Sequence, residues 1–100
     1  MSLNKHVMKI YQSRTFENKI KKFSKQEKAA LDEEIGKIIK NPLTGEEKKG
    51  DLREIHVYKF KIKSIRYLLS YRMIKNGLEL IMIGPHENYY RELKSYLKRR

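Results

Sequence analysis

Positions 54–84 constrain the fold more than any other part of this chain. Three runs there, 54–62, 65–75 and 78–84, are rich in β-branched and aromatic residues. In the first, "HVYKFKIKS", Tyr58, Phe60 and Ile62 alternate with Lys59, Lys61 and Lys63. Period-two alternation marks a strand with one dry face and one wet face. Asn76-Gly77 separates the second and third runs, and this dipeptide favours a type I′ hairpin with positive φ at both central residues. The third run, "LELIMIG", is apolar on both faces and is expected to lie centrally, with Gly84-Pro85 ending it.

The flanking segments supply the cover. "VMKIYQS" at 7–13 reads as a first strand, and Ser13 is placed to cap the helix after it. Phe16, Ile20 and Phe23 recur at helical spacing. Ser24 with Glu27 forms a capping-box pattern that opens a second helix with Leu31, Ile35, Ile38 and Ile39 inward. Asn41-Pro42 stops it, because the residue before proline avoids the helical region. Residues 14–40 are thus a helical hairpin and 41–53 a loop. The tail places Tyr89, Leu93, Tyr96 and Leu97 on one helical stripe.

The order β-α-α-β-β-β-α predicts an α+β fold in a single domain, 1–100, with the helical hairpin on one face of a mostly antiparallel four-stranded sheet. The other face is expected to stay open. In the second run, parity sends Tyr67, Leu69, Tyr71 and Met73 to the core side and Arg66, Leu68, Ser70 and Arg72 to the open side. His56 shares parity with Tyr58 and Phe60 and is expected to pack inward, while His6 has no evident role.

Charge narrows the choice of partner. The chain has 24 Lys and Arg against 12 Asp and Glu, a net charge of +12. Positions 53–75 alone hold seven basic residues and one acid. Such a balance favours polyanions: nucleic acid, the ribosome, an anionic membrane or an acidic protein. A basic, partly aromatic sheet face suits RNA better than duplex DNA. The chain has no cysteine, which excludes disulfides and thiolate metal sites and fits a cytoplasmic setting. No His/Asp/Glu cluster has metal-ligand spacing, so neither a metal nor another cofactor is expected. No apolar run approaches the ~18 residues of a membrane span, and the start lacks a signal peptide's apolar stretch.

Three segments, "NPLTGEEKKGDL", "YKFKIKSIRYLLSYR" and "IGPHENYYRELK", together with the element order, resemble the RelE/ParE superfamily of toxins from toxin–antitoxin pairs. The resemblance covers nearly the whole chain. It implies the toxin component of a type II system, partnered by an acidic or partly disordered antitoxin. It also implies one of two activities. RelE-like members cleave messenger RNA on the ribosome, and ParE-like members poison DNA gyrase, since one fold supports both. A basic RNA- or protein-binding module without catalysis is the third reading.

Metal-independent RNA cleavage needs a base for the 2′-hydroxyl, an acid for the leaving 5′-oxygen, and cations for the crowded phosphorane. By the resemblance, Lys59 and Lys61 supply base and charge, about 7 Å apart along one strand face. Neighbouring ammonium groups lower each other's pKa, which favours such a role. The arginine that the family carries after a tyrosine is replaced by Leu68, and Arg66 or Arg72 is expected to stand in. His86 matches a position beside the scissile phosphate, and Tyr90, rather than Tyr89, matches a late tyrosine that stacks or moves a proton. Lys63, Arg72, Arg91 and Lys94 are expected to hold RNA phosphates.

Overall fold

A computed structural model of the chain describes residues 9–52 and 54–99. His6, positions 7 and 8 of the expected first strand, Arg53 and Arg100 lie outside the described residues. The elements are β1 (Lys9–Gln12), α1 (Arg14–Ile20), α2 (Lys25–Lys40), β2 (Glu46–Glu47), β3 (His56–Ile62), β4 (Ile65–Ile74), β5 (Gly77–Pro85) and α3 (Tyr89–Arg99), with a 3₁₀ turn at Gly50–Leu52. The sheet order is β1-β5-β4-β3-β2. β1 runs parallel to β5, and the other pairs are antiparallel. The sheet thus has five strands rather than four, because Glu46 and Glu47 in the expected loop pair with Val57 and His56.

Local chemistry explains the element ends. Ser13 Oγ accepts from the Phe16 amide at 3.0 Å and donates to the Ile81 carbonyl at 2.6 Å, fastening α1 to β5. Ser24 and Glu27 form the capping box, with bonds of 2.7 and 3.1 Å. The β4–β5 hairpin forms, but its turn sits one residue earlier than expected. Ile74 pairs with Gly77, so Lys75 and Asn76 make the loop, with Asn76 at φ 71°. Gly77 is needed for a different reason. A Cβ there would collide with the Lys9 backbone, because β1 lies against it.

One core fills the α1/α2 side of the sheet. Phe16, Leu31, Ile38, Phe60, Ile62, Leu69, Tyr71, Leu78, Leu80 and Ile83 form it. His56 is buried on this side and stacks on Tyr71, with ring centres 5.3 Å apart. Met73, expected inside, is 43% exposed near the far end of β4.

The second face is not open. A second core joins Val57, Leu68, Ile81 and Met82 of the sheet to Leu52 and Ile55 below and to Tyr89 and Leu93 of α3. A β-bulge makes this possible. Ser70 pairs with Met82 and Tyr71 with Leu80, so Ile81 is an extra residue in β5. The bulge turns Ile81 and Met82 toward α3 while Leu80 and Ile83 stay in the first core. Apolar residues on both faces of "LELIMIG" demanded two covers, and α3 is the second.

The β3–β4 hairpin carries strain at its tip. Lys63 and Ser64 are the two loop residues, at φ 59° and 149°. Lys63 therefore leaves the strand face on which it was expected to follow Lys59 and Lys61. Neither residue is a glycine or asparagine, the types that tolerate positive φ.

Replacing Ser64 by glycine (Ser64→Gly) relieves the turn and should raise stability by about 1 kcal/mol, some 4–8 °C in Tm for a domain of this size; an unchanged or lower Tm in a thermal melt contradicts the strain. A second effect is pH-dependent. Tyr58 donates to Glu34 at 2.6 Å, and burial together with that carboxylate pushes its phenol up to about 12. Because the folded pKa is raised, Tyr58's contribution is complete below about pH 10 and is lost as pH climbs toward the folded value. The stability difference between wild type and Tyr58→Phe, from denaturant midpoints, should shrink over that interval; a constant difference overturns the assignment.

Candidate nucleic-acid interface

β3 and β4 build the site by register. Lys59 and Lys61 share a side of β3 with Val57, the side that faces α3. α3 covers Val57 but stops short of the lysines, which remain exposed. Lys61 pairs directly with Arg66, and Lys59 with Leu68. Leu68 in turn pairs with Gly84, and Tyr67 with Pro85, so His86 leaves the sheet beside Arg66. Lys61 and Arg66 thus form one row across β3 and β4, and His86 follows the end of β5 next to it. Lys59, Leu68 and Gly84 form the next row in. Among the described residues, no carboxylate lies within ion-pairing distance of Lys59, Lys61 or Arg66.

Leu68 stands where an arginine was expected, and packing shows what it does instead. It is 1% exposed and lies in the second core against the α3 tyrosines. With Gly84 beside it, it forms an apolar floor under the cation row.

The two neighbouring tyrosines divide their work. Tyr89 is 1% exposed, and its hydroxyl donates to the Met82 carbonyl at 2.7 Å and lies 2.8 Å from Ser70 Oγ. Burial pushes its phenol well above the ordinary range. Tyr89 therefore pins α3 to the sheet. Tyr90 packs edge-on against it at 5.8 Å and is half-buried, with a surface toward solvent.

Sequence reasoning missed two residues of this surface, Glu46 and Lys48. β2 pairs Glu46 with Val57, which puts Glu46 on the same face, diagonal to Lys59. Lys48 Nζ donates to Glu46 Oε1 at 3.0 Å and lies 5.1 Å from the centre of the Tyr90 ring. The bond to Lys48, that ammonium's charge and, at longer range, Lys59 hold the Glu46 carboxyl below its usual range. Donating to Glu46 raises the Lys48 ammonium in turn, against the opposing effect of burial. The signal was faint, because "GEEKKGD" has no strand period and only pairing with β3 fixes which side chains face the lysines.

The remaining candidates separate. Arg91 and Lys94 are exposed on α3 and, with Tyr90, Ser95 and Lys98, line a shallow cleft of about 520 Å³ that adjoins the cluster. Arg91 donates to Asn88 Oδ1 at 2.6 Å. Arg72 lies on β4 six residues beyond Arg66, about 20 Å along the strand. It pairs with Glu79 at 2.9 Å on the neighbouring strand. The fold does not bring Arg72 to the other cations, which leaves Arg66 as the arginine of the row. Lys63 stands at the hairpin tip, past the row. Among the described residues, no group of three or more His, Asp or Glu side chains converges on a metal-binding point, and no helix is long and apolar enough to cross a membrane.

Comparison with known proteins gives a consistent result. Residues 10–94 match the profile of the ParE-like toxin of type II bacterial toxin–antitoxin systems. No curated protein matches the chain significantly. Among solved structures, a substituted Escherichia coli RelE toxin in the free state superposes with a TM-score of 0.69, at 19% identity, over 93% of this chain and 97% of that one. The intact E. coli RelBE toxin–antitoxin complex gives 0.63, at 19% identity, covering 78% and 95% respectively. The isolated E. coli RelE toxin gives 0.61, at 15% identity, covering 91% and 97%. At these identities the likeness is one of fold.

The division between the tyrosines is testable by substitution. Tyr89→Phe should cost about 1–2 kcal/mol, because the Met82 carbonyl loses its phenol donor in a buried setting. Tyr90→Phe should cost less than about 0.5 kcal/mol. Equal losses in urea melts contradict the assignment.

Proposed function

This chain belongs to the ParE-like toxin family of type II bacterial toxin–antitoxin systems, and we propose that it inhibits translation in the cytoplasm by cleaving messenger RNA on the ribosome. The observation that carries the reading is the row of cations at the uncovered end of the second sheet face: Lys61 opposite Arg66, with Lys59 one step in and His86 at the strand end. A sheet edge of this kind can hold an extended phosphate backbone, and the half-buried Tyr90 offers a ring for a base to stack on.

In this reading Lys59 or Lys61 removes the proton from the 2′-hydroxyl. The 2′-oxygen attacks the adjacent phosphorus, and the bond to the 5′-oxygen breaks. His86 delivers a proton to that leaving oxygen, while Arg66 and the second lysine stabilise the charge on the phosphorane. Products are a 2′,3′-cyclic phosphate and a 5′-hydroxyl. Arg91 and Lys94, on the adjoining cleft, hold flanking RNA. The cognate antitoxin is an acidic or partly disordered segment that neutralises the same surface.

One observation favours the alternative, gyrase inhibition. Leu68 is buried in the second core, so the expected arginine position supplies no guanidinium at all.

The two readings part on a variant. Removal of general acid–base groups costs about 10²–10⁴-fold, so Lys59→Ala with Lys61→Ala should lower cleavage of ribosome-bound mRNA at least 100-fold and relieve growth arrest. If arrest persists with mRNA intact and gyrase-linked DNA breaks accumulate, the nuclease assignment is wrong.

A further inference from the structure

Lys48 and Glu46 sit beside the cation row but were invisible to the sequence pattern. The Lys48 side chain is 22% exposed, low for a lysine, whereas Glu46 is 67% exposed. Two contacts hold the Lys48 ammonium, and a third holds its backbone. Its amide donates to the Ile55 carbonyl at 2.8 Å, its ammonium donates to Glu46, and the Tyr90 ring lies 5.1 Å from that ammonium. A lysine fixed in this way has lost rotamer freedom before any ligand arrives, so a phosphate bound to it costs less ordering than one bound to a free surface lysine.

Glu46 is the anion that the Lys48 ammonium already holds. It accepts from Lys48 and faces Lys59 diagonally across β2 and β3. Among the described residues it is the one carboxylate ion-paired at the edge of the row, since Glu34 with Lys37 and Glu79 with Arg72 pair elsewhere on the fold.

We propose that Lys48 is a further RNA-phosphate contact of this site, extending it past Tyr90, and that Glu46 is a built-in competing anion which the RNA backbone must displace from Lys48. The inference rests on the proposed RNA-binding reading and deepens it. It places one more phosphate on the α3 side of the lysines, next to the base stacked on Tyr90. It also gives the free protein a counter-ion that lowers its affinity for non-cognate polyanions, which a surface of net charge +12 otherwise attracts.

The test uses the full-length chain and a short 2′-O-methyl oligoribonucleotide, which keeps the phosphates but cannot be cleaved. Affinity is read by fluorescence anisotropy at several salt concentrations. Glu46→Gln should tighten binding about two- to five-fold, the size expected from releasing one exposed ion pair. Lys48→Ala should weaken binding and reduce the slope of log affinity against log salt by about 0.7, the value of one phosphate contact on a single strand. Lys48→Arg should restore the slope, which a merely structural lysine would not do. Glu46→Gln in a Lys48→Ala background should recover less than it does alone. An unchanged slope in Lys48→Ala, or weaker binding in Glu46→Gln, overturns the inference. Lys59→Ala with Lys61→Ala, measured alongside, separates the two levels. If that variant loses affinity and Lys48→Ala does not, only this inference fails. If neither loses affinity, the RNA-binding reading itself fails.

Discussion

The packing of α3 on the second face of the sheet decides where this protein can do anything. Leu93 and Tyr89 close over Leu68, Ile81 and Met82, and the Tyr89 hydroxyl locks the contact onto the Met82 carbonyl. The bulge at Ile81 makes it possible by turning two consecutive β5 residues to the same side. Without that cover, the apolar side chains of Val57, Leu68 and Ile81 would face water across the middle of the sheet. With it, the middle of the face is covered, and the end that holds Lys59, Lys61 and Arg66 stays exposed.

Electrostatics then works on a small area. Among the described residues, the cations of the row face one another across β3 and β4 with no ion-paired acid between them. Their mutual repulsion opposes the folded state, and the two apolar cores must outweigh it. Arg72 shows the contrasting case on the same strand, where a cross-strand glutamate pairs the guanidinium. The difference fits a surface kept free for an anionic partner.

Much of the fold was legible in the sequence because local signals agreed with one another. The alternation in "HVYKFKIKS", the capping box at Ser24 and Glu27, and the helical stripe in the tail each mark an element. What escaped was everything set by pairing at a distance. Two glutamates became a fifth strand only because β3 offered an edge. Asn76-Gly77 reads as a type I′ turn, yet Gly77 is spent on close contact with β1. An open second face is the natural expectation as long as the tail helix has no position, and only the burial of Tyr89 and Leu93 supplies one. His86 and Tyr90 were singled out by the resemblance, and the shared strand face of Lys59, Lys61 and Arg66 was legible from parity. Lys48 and Glu46 were not, because their placement depends on a two-residue strand with no periodic signature.

The proposed cutting of RNA at this uncovered, cationic end of the sheet is open to direct measurement. The most direct measurement incubates the purified toxin with ribosomes carrying a defined message and reads the ends of the products. The expected result is cuts within the translated region, leaving a 2′,3′-cyclic phosphate on one side and a 5′-hydroxyl on the other, with no added metal. Intact message under those conditions, with double-strand breaks when the same protein meets gyrase and DNA, would contradict it.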